Sequence, residues 1–312
     1  MNERATGRRK TYTVRRGHQP FTDVIDRLVS ALGHTRSMAI LVGKAVVITG
    51  AGQGLGRAFA IHAAQNGAAV VINDVDEPLA GEVAELITRN SGKAVVSAGS
   101  VTDPDQAQAV VDTCTAAFGR IDGLVNNAGI RYQARIGQDS PAKMRELIEV
   151  NVLGTLYCTN AAVQSMRRGS IVNLGSVAMV GQPTALTYSA SKGAVASITA
   201  GAANELQDKG IRVNAVCPIA DTRMARADTK AAPSGPPETI APLVTYLLSD
   251  RAAKITGQLI RFANGRLHVM GQTSPKEPVI ERERWDVEDI AEAFEEKLQP
   301  EDPAWVRWGV ER

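Results

Sequence analysis

The chain has 312 residues, of which 44% are hydrophobic, and a formal net charge of +2 at pH 7. This length and apolar content fit one α/β domain with a large core and extensions. No apolar run of about twenty residues is present, which argues against a transmembrane span. The three widely spaced cysteines argue against a disulfide framework and favour a reducing, cytoplasmic location.

Basic side chains dominate the first part of the chain. Residues 1–43 carry eight Lys and Arg against three acids, a net of about +5. We interpret residues 1–40 as a basic, disordered leader; a surface for nucleic acid or anionic lipid is the alternative, and no nucleic-acid partner is expected. If residues 1–37 are a transit segment, the expected location is an organellar matrix instead of the cytoplasm. Met38 is an alternative natural start.

A glycine-rich turn follows the first predicted strand. Residues 44–49 form a short apolar run, the turn spans 50–54, and a helix is predicted over 55–66. A strand, a glycine turn and a helix in this order are what a dinucleotide site requires, because backbone amides and the helix N-terminus then face a pyrophosphate. An ordinary glycine-rich connection is the alternative.

An acidic residue ends the second predicted strand, at residues 69–73. Asp74 lies eighteen residues after Gly56, close to the spacing expected for a carboxylate that binds the adenosine ribose. Since a carboxylate accepts hydrogen bonds from a diol and repels a 2′-phosphate, we expect NAD as cofactor, with NADP less favoured. A turn role for Asp74, and Asp76 as the ribose ligand, are the alternatives.

Helices and strands alternate through the rest of the domain. Helices are predicted over 77–90, 104–118, 141–166 and 187–208, and strands over 93–97, 121–126, 170–175 and 211–216. This alternation indicates a doubly wound, Rossmann-like parallel sheet with helices on both faces and a ligand site at the carboxyl ends of the strands.

Three side chains form a candidate catalytic set. Tyr188 and Lys192 stand four residues apart and share one face of a predicted helix. Ser176 follows a predicted strand and could meet them there. A cation beside a phenol lowers its pKa, so the tyrosine could act as an acid and base near neutral pH.

These residues together resemble the short-chain dehydrogenase/reductase family over roughly residues 41–265, and we assign 41–270 to an NAD(P)-binding domain. The resemblance implies that Asn151 completes the catalytic set with Ser176, Tyr188 and Lys192. With the acidic residue after the second strand, it predicts these cofactor-binding residues: Thr49, Gly50, Gln53, Gly54, Leu55, Gly56, Asp74, Val101, Asn127, Ala128, Gly129, Tyr188, Lys192, Pro218, Ile219 and Thr222.

The resemblance also implies a mechanism. Hydride moves between nicotinamide and a carbinol or carbonyl carbon. Tyr188 exchanges the proton, Lys192 lowers the pKa of Tyr188 and binds the nicotinamide ribose, and Ser176 polarises the substrate oxygen. Asn151 would hold a relay water. No metal is expected, since the four histidines are scattered.

Two positions depart from the family pattern, and a third, Gln53, bears on the choice of cofactor. Ile219 replaces a glycine in the predicted loop beside the nicotinamide, so that loop should differ locally. Ser100 replaces the usual aspartate near the adenine, which removes a carboxylate acceptor. Gln53 replaces the arginine often found in loops that prefer NADP.

The tail at residues 271–312 is acidic and contains all three tryptophans. Asp286 could cap a helix whose apolar stripe is Val287, Ile290, Phe294 and Leu298. We expect this stripe to dock on the core domain or on a partner subunit; recognition of another protein is the alternative.

The segment after Thr222 is short for a substrate lid, and residues 237–247 look similar to hydroxyacyl-CoA dehydrogenase units of multifunctional enzymes. We therefore expect an oxidoreductase for a secondary alcohol or ketone, with a 3-hydroxyacyl-CoA or steroid-like substrate. An NADP-dependent 3-oxoacyl reductase and a non-catalytic, dinucleotide-sensing protein are the alternatives.

The resemblance favours a homodimer or homotetramer built on the helices that start near Pro141 and Tyr188.

Overall fold

The computed structural model describes residues 39–226, 235–271, 273–298 and 300. The chain divides after Met38 into two units. The predicted basic leader therefore lies almost entirely outside the described residues, as do residues 227–234 and most of the last fourteen.

Eight strands form one sheet. They are β1 (Ala45–Ile48), β2 (Ala69–Asp74), β3 (Lys93–Ala98), β4 (Gly123–Asn126), β5 (Gly169–Leu174), β6 (Ile211–Ile219), β7 (Leu259–Ala263) and β8 (Arg266–Val269). Their order is β3-β2-β1-β4-β5-β6-β7-β8. The first seven are parallel and β8 pairs antiparallel with β7, so the predicted doubly wound parallel sheet is confirmed.

Nine α-helices connect or flank the described strands. They are α1 (Gly54–Gln65), α2 (Glu77–Arg89), α3 (Pro104–Phe118), α4 (Pro141–Ile148), α5 (Gly154–Ser165), α6 (Leu186–Glu205), α7 (Arg223–Arg226), α8 (Ala241–Leu248) and α9 (Val287–Glu296).

Two apolar layers cover the two faces of the sheet. Successive side chains of a strand point to opposite faces. Accordingly, Val46 and Ile48 of β1 pack with α1 residues such as Phe59, whereas Val47 packs with α3 residues such as Val110. Burial on both faces explains why the central strands are short, continuous apolar runs. This packing fixes the carboxyl ends of the strands, where the site lies.

The predicted helix over 141–166 is wrong in one respect. It is divided into α4 and α5 by a π-helical turn at Glu149–Leu153, which contains Asn151. Such turns are rare and often occur at functional sites. Nothing in the apolar spacing of the segment marks the extra residue in this turn.

The predicted end of β6 is also wrong. The strand continues through Cys217 and Pro218 to Ile219, and Ile219 is paired with Ala263 of β7. Ile219 therefore lies in a strand and not in a loop, and an extended backbone suits a branched side chain. The later elements α8, β7 and β8 were not predicted.

The acidic tail contains the predicted helix, α9. Asp286 caps it, and Asp286 and Asp289 exchange hydrogen bonds in a capping box. The helix ends before Leu298, however. Phe294 is 53% exposed, and Val287 and Ile290 are exposed as well. Within the described residues this stripe does not dock on the core domain, and Ala293 is the buried residue of α9; docking on a partner subunit stays a prediction. No helix in these parts of the chain is long and apolar enough to cross a membrane.

Candidate active site

A cleft of about 640 Å³ opens at the carboxyl ends of the parallel strands. Most of the predicted site residues line it together. They are Gly50, Gln53, Gly54, Leu55, Asp74, Val101, Asn127, Ala128, Gly129, Ser176, Tyr188, Lys192, Pro218, Ile219 and Thr222. Thr49, Gly56 and Asn151 are not among the lining residues, and each supports the wall from behind.

The turn between β1 and α1 depends on its glycines. Gly50 and Gly54 have φ values of 59° and 56°, in the left-handed region that disfavours a side chain. A Cβ at Gly56 would lie 2.5 Å from Asn127 Nδ2 and would overlap the carbonyl oxygen of Gly50. Close packing of backbone on backbone therefore shapes a cradle that leaves room for a pyrophosphate.

Thr49 and Asn127 join this turn to the loop after β4. The Thr49 hydroxyl accepts hydrogen bonds from the backbone N–H groups of Asn127 (3.1 Å) and Ala128 (3.0 Å). The Asn127 side-chain amide donates to the carbonyls of Thr49 (2.9 Å) and Gly50 (2.8 Å). The two neighbouring loops are thus fixed to each other beneath the cleft.

Asp74 closes one end of the cleft at the last residue of β2. Its carboxylate accepts hydrogen bonds from the backbone N–H groups of Gly52 (2.9 Å) and Asp76 (3.1 Å). The side chain is buried, yet it remains part of the cleft lining. A negative charge is therefore held in a fixed orientation beside the glycine turn.

Tyr188, Ser176 and Lys192 meet at the other end of the cleft. Ser176 follows β5, and its hydroxyl accepts a hydrogen bond from the N–H of Ala178 (3.1 Å) and lies near enough to Tyr188 to lower the pKa of the phenol. Lys192 Nζ lies 5.7 Å from the centre of the Tyr188 ring and donates to the Leu174 carbonyl oxygen (2.6 Å). Both α6 side chains are buried.

The predicted lowering of the Tyr188 pKa by Lys192 is wrong for this structure. Burial raises the pKa of Tyr188, and the hydrogen bond with Ser176 and the charge of Arg131 oppose that rise only in part. Burial also lowers the pKa of Lys192 to about 8. Desolvation is therefore the main electrostatic effect on both groups.

Asn151 uses both ends of its amide to connect two parts of the wall. Its Oδ1 accepts a hydrogen bond from the N–H of Ile130 (2.8 Å). Its Nδ2 donates to the Ile130 carbonyl (3.0 Å) and to Ser191 Oγ (3.1 Å). Ser191 in turn donates to the Tyr188 carbonyl (2.8 Å). The π-helical turn thereby places one amide between the loop after β4 and helix α6.

The family profile described as short chain dehydrogenase matches residues 44–232, which contain the glycine turn and the Ser176–Tyr188–Lys192 set. The chain belongs to the short-chain dehydrogenase family. It is therefore an NAD(P)-dependent oxidoreductase that acts on secondary alcohols or ketones.

Similar proteins agree with this family. An uncharacterised oxidoreductase of Methylorubrum extorquens is 39% identical over 73% of this chain and 99% of its own length. The 2-(S)-hydroxypropyl-CoM dehydrogenase 3 of Xanthobacter autotrophicus is 36% identical over 70% of this chain and 94% of its own. A gluconate 5-dehydrogenase of Burkholderia cenocepacia, solved with NADP and tartrate, superimposes with a TM-score of 0.69 at 30% identity and covers 74% of this chain and 98% of its own.

Several lining residues of this short-chain dehydrogenase were not predicted. They include Ile130, Arg131, Glu146, Gln182, Arg223 and Met224. Arg131 lies two residues after Gly129, a predicted cofactor-binding residue, so its place in the sequence could have revealed it. The others lie on elements whose orientation the sequence pattern does not give. Within the described residues, no three His, Cys, Asp or Glu side chains are grouped as a metal site.

Ser100, the departure near the predicted adenine end, also lines the cleft. Its hydroxyl is hydrogen-bonded with Thr102 Oγ1 (2.8 Å), and its N–H donates to Gln106 Oε1 (2.8 Å). The serine therefore has local partners in place of the carboxylate that the family pattern has there.

Gly56→Ala is expected to disrupt the cradle, because the new methyl group must displace the backbone of Gly50 or the amide of Asn127. Overpacking of this kind costs about 1–3 kcal/mol. We expect a lower Tm and weaker dinucleotide binding, measured by thermal denaturation and calorimetric titration. Gly81→Ala, where an added Cβ meets nothing within 4 Å, is the matched control and should leave dinucleotide binding unchanged.

Proposed function

We propose that this chain is an NAD-dependent dehydrogenase in which Tyr188 exchanges the proton of a secondary alcohol. The observation that carries the proposal is that Tyr188, Ser176 and Lys192 line the same cleft as the glycine turn, with Lys192 Nζ 5.7 Å from the centre of the Tyr188 ring. A bound nicotinamide would supply the hydride chemistry.

The residues of the chain would handle the oxygen and the proton. Ser176 would orient and polarise the substrate oxygen, because its hydroxyl already lies beside the Tyr188 phenol. In reduction Tyr188 donates its proton to the forming alkoxide, a role that suits a phenol whose pKa is raised by burial. In oxidation the proton returns to Tyr188. Asn151 would keep Ile130 and α6 in place and would hold the relay water that the family resemblance implies.

The glycine cradle and Asp74 fit a dinucleotide with an unmodified ribose. Gly50, Gly54 and Gly56 leave the space beside the N-terminus of α1 that a pyrophosphate needs. The Asp74 carboxylate faces the cleft next to that turn. A fixed negative charge there favours a ribose diol and disfavours a 2′-phosphate, which supports NAD over NADP.

Asp74→Asn tests the cofactor choice. We expect the ratio of kcat/KM with NAD to that with NADP to fall about tenfold or more, which corresponds to about 1.4 kcal/mol of discrimination. Steady-state rates with both cofactors measure it. Asp76→Asn is the control, since Asp76 caps α2 and does not line the cleft. A wild-type protein that uses NADP at least as well would support the 3-oxoacyl reductase alternative.

The dinucleotide-sensing alternative predicts tight cofactor binding with no turnover of any alcohol. The wild-type rate on a panel of secondary alcohols distinguishes it from the enzyme. In that panel a coenzyme A thioester and a steroid alcohol test the substrate classes that the sequence suggests.

A homodimer or homotetramer built on α4 and α6 is supported by exposed Met144 and Leu186 at the starts of these helices. The free, buried thiols of Cys114, Cys158 and Cys217 support a reducing compartment such as the cytoplasm. Residues 41–270 would carry the enzyme, with the leader and tail as extensions.

A further inference from the structure

Asp139 connects the loop after β4 with the first turn of α6. Its Oδ2 accepts hydrogen bonds from the Tyr132 hydroxyl (3.1 Å) and from Thr187 Oγ1 (2.7 Å). Thr187 directly precedes Tyr188 in α6. Asp139 does not line the cleft, so it can influence the reacting phenol only through the side chains that it holds.

The loop that contains Tyr132 packs behind Tyr188. The Tyr132 ring lies against the small apolar cluster to which the Tyr188 ring belongs. Two residues further on, the N–H of Ala134 donates to the carbonyl of Thr184 (2.8 Å), just before α6 begins. The loop therefore meets the surroundings of Tyr188 through one ring and one backbone hydrogen bond, and Asp139 adds a third attachment.

The first turn of α6 receives no side-chain cap from its own sequence. Its N-cap residue, Ala185, has no side chain that can accept a hydrogen bond, and no acidic residue lies in this turn. A negative charge is favourable near the unpaired N–H groups at a helix N-terminus. Asp139 brings a carboxylate to this turn from another loop, and its hydrogen bond with Thr187 fixes it there. The turn that carries Tyr188 thus depends on a side chain 48 residues before Thr187.

The second oxygen of the Asp139 carboxylate, Oδ1, is buried without a hydrogen-bond partner in the described part of the chain. An unsatisfied buried oxygen costs free energy, so this arrangement is not the most stable one available. Removal of the carboxylate loses two accepted hydrogen bonds but also removes the unsatisfied atom. The net change in stability should therefore be small, and an effect of Asp139 on the rate can be distinguished from an effect on folding.

We propose that Asp139 is a positioning residue for proton transfer, which holds the Tyr188 hydroxyl in line with the substrate oxygen by accepting hydrogen bonds from Thr187 and Tyr132. This inference rests on the proposed function, in which Tyr188 exchanges the proton. A displacement of about 1 Å in a reacting group can lower a rate about 100-fold. A hydrogen bond at the residue next to the phenol is close enough to produce such a displacement when it is lost.

Thr187 offers a matched pair of variants, since valine keeps the shape of the side chain without the hydroxyl and serine keeps the hydroxyl. The probes are cyclohexanol and 3-hydroxybutyryl-CoA, which are both secondary alcohols. We expect kcat to fall about 10- to 100-fold for Thr187→Val and for Asp139→Ala, and less than about threefold for Thr187→Ser. Asp208→Asn, at an exposed carboxylate after α6 that does not line the cleft, should match wild type.

Two further measurements separate positioning from a role in folding or cofactor binding. In Asp139→Ala the Kd for NAD should change less than about threefold and the Tm by less than about 4 °C. In the double variant the loss of kcat should be well below the product of the two single losses, because both substitutions remove the same hydrogen bond. Losses that multiply, or a fall in kcat that is matched by weaker NAD binding, would overturn the inference.

Fluorine NMR of protein labelled with 3-fluorotyrosine tests the position of Tyr188 without any substrate. The chain has five tyrosines, and Tyr188→Phe identifies the Tyr188 resonance. We expect this resonance to shift in Asp139→Ala and Thr187→Val and to stay near its wild-type position in Thr187→Ser and Asp208→Asn. An unchanged resonance in Asp139→Ala overturns the positioning role, even if no alcohol is oxidised. Absence of turnover with every alcohol, by contrast, rejects the proposed function.

Discussion

Tyr188→Phe is expected to lower kcat about 10²- to 10⁴-fold, the range typical of a lost general acid or base. The substitution removes only the hydroxyl, which lies in the cleft near Ser176. The ring, buried with Leu147, Ala178 and Ala185, stays in place. The Kd for NAD should therefore change little.

Absorbance of NADH measures the rate, and calorimetry measures cofactor binding. Tyr157→Phe is the control, because Tyr157 of α5 packs against the apolar layer that contains Val47 and does not line the cleft. A Tyr188→Phe protein that keeps its rate would remove Tyr188 from the chemistry and would leave only the dinucleotide site.

Lys192→Met is expected to abolish most activity and yet to stabilise the fold at neutral pH. The ammonium is buried, and burial lowers its pKa from 10.5 to about 8. A shift of this size corresponds to about 3 kcal/mol of unfavourable burial of the charged form. The lost hydrogen bond to Leu174 offsets part of it, so we expect a net gain of about 1–2 kcal/mol.

The pH dependence of this gain has a defined sign. Below pH 8 Lys192 is charged in both the folded and unfolded states, so the cost of burial is complete. Between pH 8 and 10.5 the folded state loses the proton while the unfolded state keeps it, and wild-type stability rises with pH. The advantage of Lys192→Met should thus be largest near pH 7 and should shrink above pH 8.

Urea denaturation at several pH values measures this advantage, and steady-state rates should show a loss of about 10²-fold or more. Lys209→Met, at an exposed lysine that follows α6, controls for the new methionine. Constant stability differences from pH 7 to 10 would contradict the burial of a charged Lys192.

The sequence predicted the parts of this fold that depend on local periodicity and on glycine. The alternation of apolar runs gave the parallel sheet, and the close contact at Gly56 explains why the β1–α1 turn was recognisable. The extra residue at Asn151 and the extension of β6 to Ile219 depend on pairing and packing with distant segments. No local pattern specifies such contacts.

The candidate site shows the same division. Ser176, Tyr188 and Lys192 follow from spacing, since a helix face and a strand end can be inferred from the sequence. The raised pKa of Tyr188 and the proximity of Arg131 could not be inferred, because both depend on how deeply α6 is buried and on the path of the β4 loop.

Asn151 has a consequence for how this enzyme could change its preferences. One amide holds the backbone next to Arg131 and, through Ser191, the turn of α6 that carries Tyr188. A movement of either segment must be transmitted to the other. The cleft wall after β4 and the helix that carries Tyr188 are therefore joined by one side chain, and redesign of this cleft for a new alcohol would have to keep or replace that contact.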